Sequence, residues 1–448
     1  MTLRAKILSF VLVLAIIGLG AAWYVTRGVP ALLSVEAVSG TKPKITPARL
    51  ENIPTVNIAK PVGWADGVKP IAAAGLNVGE FARDLDHPRW MYELPNGDVL
   101  VAESNAPPRE GGGVTGWIMK ALMGYAGAGV PSANRITLLR DANGDGVAEL
   151  RTPFITALNS PFGMALVGDQ LYIANHDALV VVPYTGGETK IAATPKTVMA
   201  LPGGGNHWTK NLVASPDGQS LYIAVGSTSN IGENGMDAEV NRANILELNL
   251  ATKKVRIWTS GLRNPVGMAW EPQSKGLWTV VNERDMLGGD LAPDYLARAD
   301  FGAFYGWPYS YWGGYEDSRV EARPDLLQYT RRPEFALGPH TASLGLAFGS
   351  LGSFQKGAFI GQHGSWNRKP VSGYKVVFVP FDERGFPKGA MQDVLTGFLD
   401  KEERAQGRPV GVIARKGGDM LVADDVGNRI WRVAATGPQG VASPQPAR

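Results

Sequence analysis

The sequence predicts an all-β fold, a six-bladed β-propeller, preceded by one apolar N-terminal helix that spans a membrane or serves as a signal. The first observation is a repeated unit: a polar residue at a loop end, a Pro or Gly, a short apolar strand, a turn, and a second strand that ends in small or polar residues. The second is the high content of Gly, 56 residues, and Pro, 31 residues, which is typical of many short strands joined by turns. The six copies begin at His87, Ser160, His207, Asn264, His340 and Arg408.

Between the copies lie segments that alternate apolar and polar residues, such as 244–258 and 374–382, and these are predicted to be outer strands. Two inner and two outer strands per copy form one propeller blade, and radial closure of six blades leaves no long free sheet edge. Two β-sandwiches are the alternative. The recurrence of Gly-rich strand ends through the whole chain favours the propeller.

Four segments are predicted along the chain. Arg4 and Lys6 precede an apolar run at 7–25, so residues 1–27 are predicted to be an uncleaved signal anchor or a removed signal peptide. Residues 28–68 have no sustained period and are predicted to be a linker, 69–436 the propeller, and 437–448 a disordered tail. We therefore expect an exported protein on the periplasmic side, held in the inner membrane by its N-terminal helix.

Charge and cysteine content exclude several classes of function. The chain has 44 basic and 41 acidic side chains, a formal net charge of +3, and no basic stripe, so nucleic acid is not an expected partner. The absence of cysteine excludes disulfides, thiolate metal sites, iron-sulfur clusters and a cysteine nucleophile.

Polar residues recur where the inner strands of a propeller begin and end, around its central channel. The starts of the copies carry three histidines and two arginines, and the second strands end in further polar residues: Glu103, Asn175 with His176, Asn282, His363, and Asp424 with Asp425. A purely structural blade needs only turn formers at these positions. The pattern therefore predicts a small anionic or polyhydroxy ligand on the axis.

Six motifs, in order along the chain, resemble the quinoprotein glucose/sorbosone dehydrogenase family, and most closely its sorbosone dehydrogenase-like branch. They are GGNHWTKNL, SGLRNPVGMAW, VVNERDMLGGDL, FYGWPYSYWGG, GQHGSWNRKP and GRPVGV, and the likeness runs from His87 to the C-terminus. The resemblance implies a propeller that holds pyrroloquinoline quinone and Ca²⁺ and oxidises a sugar hydroxyl or an aldehyde, passing electrons to an external acceptor.

The resemblance also implies roles for individual residues. His207 stands at the position of the base that takes the substrate proton, and Arg263 with Asn264 at the position of the pair that contacts the quinone. The plainer alternatives are a histidine that only hydrogen-bonds its Gly-rich turn and an Arg-Asn loop that ties blades together. Further cofactor contacts are expected from His340, Thr341, Asn367, Arg368 and Arg408. Val410 stands where the family has a second arginine.

Two calcium sites are predicted, both from oxygen-rich loops. In the relatives the cofactor's ion is bound after the second inner strand of the fourth blade; here the expected ligands are Asn282, the main-chain carbonyls of Glu283 and Arg284, and Asp290, with Asp285 as a further possibility. A separate structural ion is expected at Asp141, Asn143 and Asp145, which stand at alternate positions like the front half of a calcium loop. A metal-free Asp-Gly turn is the alternative there.

Three classes of function follow. The first is a quinone-dependent dehydrogenase acting on an aldose, a sorbosone-like aldehyde or a related polyol. The second is a metal-dependent lactonase, in which one divalent ion would be ringed by Glu103, Asn159 or Asn175, Asn282 and Asp424. The third is a non-catalytic propeller that binds a sugar or peptide.

Overall fold

In the computed structural model, residues 2–108, 124, 125, 127 and 129–437 are described, so most of the predicted tail at 437–448 lies outside the described residues. The chain begins with helix α1 (Leu3–Thr26), which starts at Thr2, where the side-chain hydroxyl accepts from the Ala5 N–H at 3.4 Å. Its stretch Leu3–Gly20 has a mean hydropathy of 2.1 and no side chain buried against the rest of the protein. This length and composition suit either a membrane span or a signal sequence.

Three short strands follow α1 and join the outer edges of later blades. They are β1 (Ser39–Gly40), which follows a 3₁₀ turn at Glu36–Val38, β2 (Ile71–Ala72) and β3 (Leu76–Ala82).

Six antiparallel sheets form a closed ring, which confirms the six-bladed propeller. Blade 1 contains β4 (Pro88–Glu93), β5 (Val99–Glu103), β6 (Arg135–Arg140) and β7 (Leu150–Ile155). Blade 2 contains β8 (Met164–Val167), β9 (Gln170–Ala174), β10 (Ala178–Pro183) and β11 (Lys196–Ala200). Blade 3 contains β12 (Lys210–Ala214), β13 (Ser220–Val225), β14 (Asn244–Asn249) and β15 (Val255–Ser260), with a 3₁₀ turn at Met236–Glu239.

Blade 4 contains β16 (Pro265–Trp270), β17 (Leu277–Val281) and β18 (Pro293–Arg298). An insertion then carries the hairpin β19 (Ser310–Tyr311) and β20 (Tyr315–Glu316) and the short helix α2 (Pro324–Leu327), before β21 (Phe335–Pro339) completes the blade with β1 beside it. Blade 5 contains β22 (Ser343–Leu351), β23 (Phe354–Gln362), β24 (Lys375–Pro380) and β25 (Gln392–Thr396), with β2 beside it. Blade 6 contains β26 (Pro409–Ala414), β27 (Met420–Asp424) and β28 (Arg429–Ala435).

The ring is closed by β3, which pairs with β28 from Ala82 opposite Ile430 to Leu76 opposite Ala435. The outer strand of the last blade therefore comes from the start of the propeller. This pairing ties the two ends of the domain together by main-chain hydrogen bonds, which matters in a chain without disulfides.

Glycines in the first inner strands let neighbouring blades approach closely. A side chain at Gly163 would overlap the backbone of Leu212 in the next blade, and one at Gly267 would lie 2.8 Å from the Leu344 carbonyl oxygen. Gly345 meets the backbone of blade 6 in the same way. The repeated glycine in the sequence unit is thus a packing requirement at each blade boundary.

In every blade the first inner strand begins, and the second ends, at the same end of the ring. We call this end the mouth face; it includes the residues directly before β12, β16, β22 and β26 and directly after β13, β17, β23 and β27. The turns between the two inner strands of each blade, and the turn from β6 to β7, lie on the opposite face. All the residues predicted to contact the quinone are on the mouth face.

The segment predicted to be a linker, 28–68, contacts the propeller. Residues 29–64, which we call the arm, pack along the mouth face, with main-chain bonds from Ala31 to the Lys369 carbonyl, Arg49 to the Leu287 carbonyl and Val62 to the Ala405 carbonyl. These bonds join irregular backbone to loops of blades 4, 5 and 6, so they leave no periodic pattern in the sequence.

Candidate active site

His207 lies in the loop directly before β12, half-buried on the mouth face. Its Nδ1 is 2.9 Å from the Ser227 carbonyl oxygen and 3.0 Å from Ser227 Oγ, and Oγ itself donates to the Ser229 carbonyl. Both contacts of Nδ1 are therefore acceptors, which places the ring hydrogen on Nδ1 of the neutral imidazole. The lone pair is then on Nε2, the arrangement that a histidine needs to accept a proton there.

Arg263 is linked to His207 through Ser227, whose N–H donates to the Arg263 carbonyl at 2.8 Å. The guanidinium is buried, and all five of its N–H groups have acceptors in this chain. Nε donates to the Asn230 carbonyl, and Nη1 donates to the carbonyls of Asn282 and Glu283. Nη2 donates to Asn230 Oδ1 and to the Asp285 carboxylate. The sequence predicted a cation directed at a ligand. The structure instead shows a buried cation that holds two loops together.

Asp285 is the centre of this polar cluster. Its carboxylate lies 3.1 Å from Arg263 Nη2, accepts from Asn367 Nδ2 at 2.8 Å, and is 3.4 Å from His340 Nδ1. Burial acts to raise the pKa of the Asp285 carboxyl, but Arg263 and His340 outweigh it and hold the pKa well below its usual range. Asp285 in turn raises the pKa of His340 against the effect of burial. Asp285 of blade 4 is thus linked to Arg263 by an ion pair and to Asn367 of blade 5 by a hydrogen bond.

Two further predicted residues lie next to this cluster. The Asn264 side chain and His207 both pack against Gly226, which has no side chain. A Cβ atom added at Gly226 would lie 2.5 Å from Asn264 Oδ1 and from His207 Cβ. Thr341 Oγ1 lies 3.0 Å from Asp294, a buried carboxyl that also accepts from the Glu283 N–H. Burial raises the pKa of Asp294 to about 6.

Arg368 has a different role from the one predicted. Its guanidinium donates to the carbonyls of Gly289 at 2.8 Å, Pro370 at 2.9 Å and Leu33 at 3.0 Å. Because its donors are committed to backbone oxygens of the arm and its neighbours, Arg368 fastens the arm to blades 4 and 5.

The residues predicted to bind the cofactor's calcium do not fit that role in this arrangement. Arg263 Nη1 donates to the Glu283 carbonyl at 2.7 Å and lies 3.3 Å from the Asn282 carbonyl, so a cationic group already binds these oxygens. Asp290 accepts from the N–H groups of Leu32 and Leu33 and from Arg49. Arg284 is fully buried between Glu283 and Asp317 and its guanidinium donates to the Pro308 and Ser310 carbonyls.

A second polar cluster, which the sequence analysis did not assemble into a site, lies where blades 5, 6 and 1 meet. Its centre is Asp425, which accepts from Arg89 Nη1 and from His363 Nε2 at 2.9 Å and is 3.5 Å from His87 Nε2. Burial acts to raise the pKa of Asp425, but His363, His87 and Arg89 outweigh it and lower the pKa. Burial lowers the pKa of His87 to about 4. The strand-end histidines were a visible signal in the sequence, whereas Arg89 inside β4 was not.

Arg408 borders this second cluster. Its guanidinium carbon lies 5.1 Å from the centre of the Tyr374 ring, and its Nη2 is 3.3 Å from the Ala59 carbonyl of the arm. A cavity of about 470 Å³ opens beside the second cluster on the mouth face, between blades 6 and 1. Its lining includes Pro61, Asp86, His87, Arg135, Asp425 and Asn428.

A quinone with three carboxylates needs hydrogen-bond donors that the protein itself does not already use. We therefore ask which buried polar atoms of the mouth face lack a partner in the protein. Among the described residues, Arg89 Nε, Arg408 Nε and Asn264 Oδ1 are buried and have no hydrogen-bond partner in the protein. Buried polar groups are normally paired, so these three atoms are exceptions that a bound ligand with matching polar groups would explain. Two of them belong to arginines, the residues best suited to hold carboxylates. The donor set therefore fits the quinone.

The lactonase alternative requires carboxylates and amides around one ion, and in the structure several of these groups are engaged in other hydrogen bonds. Asp424 accepts from the indole N–H groups of Trp64 and Trp431, and Glu103 is bound by Arg135 and Thr137. Asn159 donates to Asp177. Within the ranges that the structure describes, the one group of three close carboxylate or imidazole ligands lies on the opposite face.

That group is Asp141, Asp145 and Glu149 in the turn between β6 and β7. Asp141 accepts from the N–H groups of Gly144 and Gly146, and Asn143 Oδ1 accepts from the Asp145 N–H. Glu149, the ninth residue of the loop, adds a third carboxylate beside Asp141 and Asp145. The structural calcium at this turn stays a prediction.

The sequence and the fold of this chain are similar to those of several known proteins. The family model described as TrAA12-like matches residues 70–293 and 325–436. An uncharacterized protein of Borreliella burgdorferi is 28% identical over 304 residues, which are 62% of this chain and 76% of that protein. The aldose sugar dehydrogenase YliI of Escherichia coli is 30% identical over 175 residues, 35% of this chain and 45% of that protein. The structure of the holo form of the pyranose dehydrogenase PQQ domain from Coprinopsis cinerea shares the fold, with a TM-score of 0.65 at 20% identity over 84% of this chain and 100% of that domain.

Proposed function

Because the chain belongs to the TrAA12-like family, we propose that it is a quinone-dependent oxidoreductase that oxidises a sugar or a related aldehyde with pyrroloquinoline quinone as cofactor. One observation carries the proposal: a histidine with a fixed tautomer lies on the same face as buried arginine nitrogens that lack partners among the described residues. The similarity to an aldose sugar dehydrogenase and to a holo PQQ domain supports it. An aldose, a sorbosone-like aldehyde or a related polyol is the proposed substrate, and an external molecule the electron acceptor.

When bound, pyrroloquinoline quinone supplies a carbon that accepts hydride from the substrate. The chain supplies the rest. His207 takes the substrate hydroxyl proton at Nε2, and Ser227 keeps the imidazole in the tautomer that allows this by accepting from Nδ1. Arg89 and Arg408, whose Nε atoms have no partner within the described part of the protein, would hold the carboxylates of the cofactor.

Arg263 has a positioning role. Its ion pair with Asp285 and its bonds to the Asn282 and Glu283 carbonyls hold these loops in place beside Ser227, which accepts from His207. No step is assigned to Ca²⁺, since the oxygens predicted to bind it are held by Arg263, Arg49 and the arm.

The proposal is tested by titrating the purified protein with pyrroloquinoline quinone, with and without Ca²⁺, while recording tryptophan fluorescence. Reduction of an artificial dye is then measured with a panel of aldoses, polyols and sugar aldehydes. We expect saturable binding and quinone-dependent dye reduction. Neither binding nor dye reduction under any condition would refute the proposal, and lactone hydrolysis with a divalent ion alone would support the lactonase instead.

The role of His207 has its own test, with His176 as a matched control. His176 is also a mouth-face histidine, at the end of the second inner strand of blade 2, beside Asp177. We expect His207→Asn to lower the turnover number about 10²- to 10⁴-fold, the usual contribution of a general base, with quinone affinity near that of the parent. His176→Asn should change neither. Equal turnover of both variants would exclude His207 as the base.

A further inference from the structure

We infer that the mouth face is an interaction surface for the membrane that holds α1, so that the propeller rests on the lipid with its candidate active site facing the bilayer. This inference concerns the orientation of the domain and does not depend on the proposed function. It rests on a short tether, a fixed arm, and the apolar and basic side chains around the mouth.

The tether between α1 and the arm is short, so the part of the mouth face that carries the arm stays close to the end of α1. The helix ends at Thr26, and the Arg27 N–H still bonds to the Trp23 carbonyl at 2.9 Å. The Val29 N–H already bonds to Thr55 Oγ1 of the arm at 2.7 Å. One residue, Gly28, therefore lies between the helix cap Arg27 and Val29, and the Cα atoms of Arg27 and Val29 are at most about 7 Å apart. A 24-residue helix is about 36 Å long and spans the roughly 30 Å hydrocarbon core.

The arm is a rigid part of the mouth face rather than a hinge. Asp290, after the second inner strand of blade 4, accepts from the N–H groups of Leu32 and Leu33 at 3.0 Å. Arg368 in blade 5 donates to the Leu33 carbonyl, and the Asn57 N–H bonds to the Trp366 carbonyl at 2.8 Å. Wherever α1 leaves the bilayer, these contacts hold the mouth face there.

Apolar side chains exposed on the arm suit contact with lipid. Val56 and Val62 are each 46% exposed, and the other large exposed apolar residues of the arm are Leu32, Leu50 and Ile53. The neighbouring loop adds exposed Tyr125 and Val130, and Gly127 of that loop packs against Pro61. Exposed apolar groups grouped beside a membrane helix are typical of an interfacial surface.

The exposed charged side chains of the arm are mainly basic. Lys42, Lys44 and Lys60 of the arm and Lys369 beside it are exposed, whereas the exposed acidic residue of the arm is Glu36. This charge balance favours a surface that contains anionic lipid headgroups. The partner that fits is therefore the lipid surface itself, with anionic headgroups at its rim.

The absence of cysteine permits a direct test with single-cysteine variants of the full chain. Val56→Cys and Val62→Cys carry an environment-sensitive fluorophore on the mouth face. The matched control is Val147→Cys in the turn between β6 and β7, because Val147 is 48% exposed on the opposite face. Each labelled protein is placed in nanodiscs that contain anionic lipid and nitroxide-labelled lipid, without quinone or substrate.

We expect lipid nitroxides to quench the labels at 56 and 62 at least about twofold more strongly than the label at 147, since nitroxide quenching requires near contact with the bilayer. Equal quenching at the three positions would overturn the inference, as would recovery of a mature chain that has lost α1. Because no quinone is present, this outcome is independent of whether the enzyme assay succeeds.

Discussion

Lys210 should make the stability of this protein rise with pH above neutrality. It is the first residue of β12, three positions after His207, and its side chain is completely buried with one hydrogen bond, from Nζ to the Trp208 carbonyl at 3.1 Å. Burial, together with the nearby Arg242, lowers the pKa of Lys210 to about 7, although Asp177 opposes the shift. In the unfolded chain the pKa returns to the ordinary value of 10.5.

The direction and size of the effect follow from these two pKa values. Between about pH 7 and pH 10.5 the unfolded chain binds a proton that the native protein does not, so the free energy of unfolding rises with pH in this window. Each pKa unit corresponds to about 1.4 kcal/mol, so the buried amine costs about 4 kcal/mol at pH 7 and about 2 kcal/mol at pH 9. Replacing it with the uncharged Lys210→Met removes this dependence, while the lost bond to Trp208 is a constant cost of about 1 kcal/mol at every pH.

The measurement is guanidinium chloride unfolding followed by tryptophan fluorescence at pH 7, 8 and 9. We expect the advantage of Lys210→Met over the parent to shrink by about 2 kcal/mol between pH 7 and pH 9. Lys196→Met, which replaces an exposed lysine of β11, is the control and should follow the parent at every pH. A parallel pH dependence for Lys210→Met and the parent would refute the reasoning.

Three further predictions test the candidate site. Arg408→Gln should weaken quinone binding at least about tenfold, because one charge-assisted contact to a carboxylate is lost; superimposable fluorescence titrations of variant and parent would contradict this. His87, whose pKa falls from 6.5 to about 4 on burial, gives stability that is fully present above pH 6.5 and is lost as the pH falls toward 4, about 3 kcal/mol in all. His87→Asn should remove that part of the acid sensitivity in unfolding curves at pH 7 and pH 4.5, and an unchanged difference between the two pH values would exclude it. Gly226→Ala should cost about 1–3 kcal/mol and reduce turnover, since the new methyl group would lie 2.5 Å from His207 Cβ; a melting temperature and turnover equal to the parent's would show that the loop relaxes freely.

The fold was predictable because its determinants are local and repeated. Each copy carries its own strands, turn and packing glycine, as at Gly163, Gly267 and Gly345, so the repeat in the sequence is the repeat in the structure. Ring closure then brings the loops before β12, β16 and β22 to one face. That is why His207, Arg263 and His340 could be assigned to the same region before any coordinates were considered.

The electrostatic partners of these residues could not be predicted in the same way. Asp285 meets Asn367 from the next blade, and Arg89 meets Asp425, which lies 336 positions later in the chain. No local pattern connects such residues, since only the closed ring determines which loops face one another. Contacts between separate loops likewise occupy the donors of Arg263 and the carboxylate of Asp290.

The sequence by itself determined the propeller, the apolar helix and the set of polar residues at the mouth, because strand periodicity, turn residues and hydropathy act over a few neighbouring positions. The tertiary structure alone decided how the arm lies on the mouth face and which charges are paired there. Such contacts join residues of separate loops, 258 positions apart for Leu32 and Asp290 and 22 for Arg263 and Asp285, and no local pattern in the sequence connects either pair.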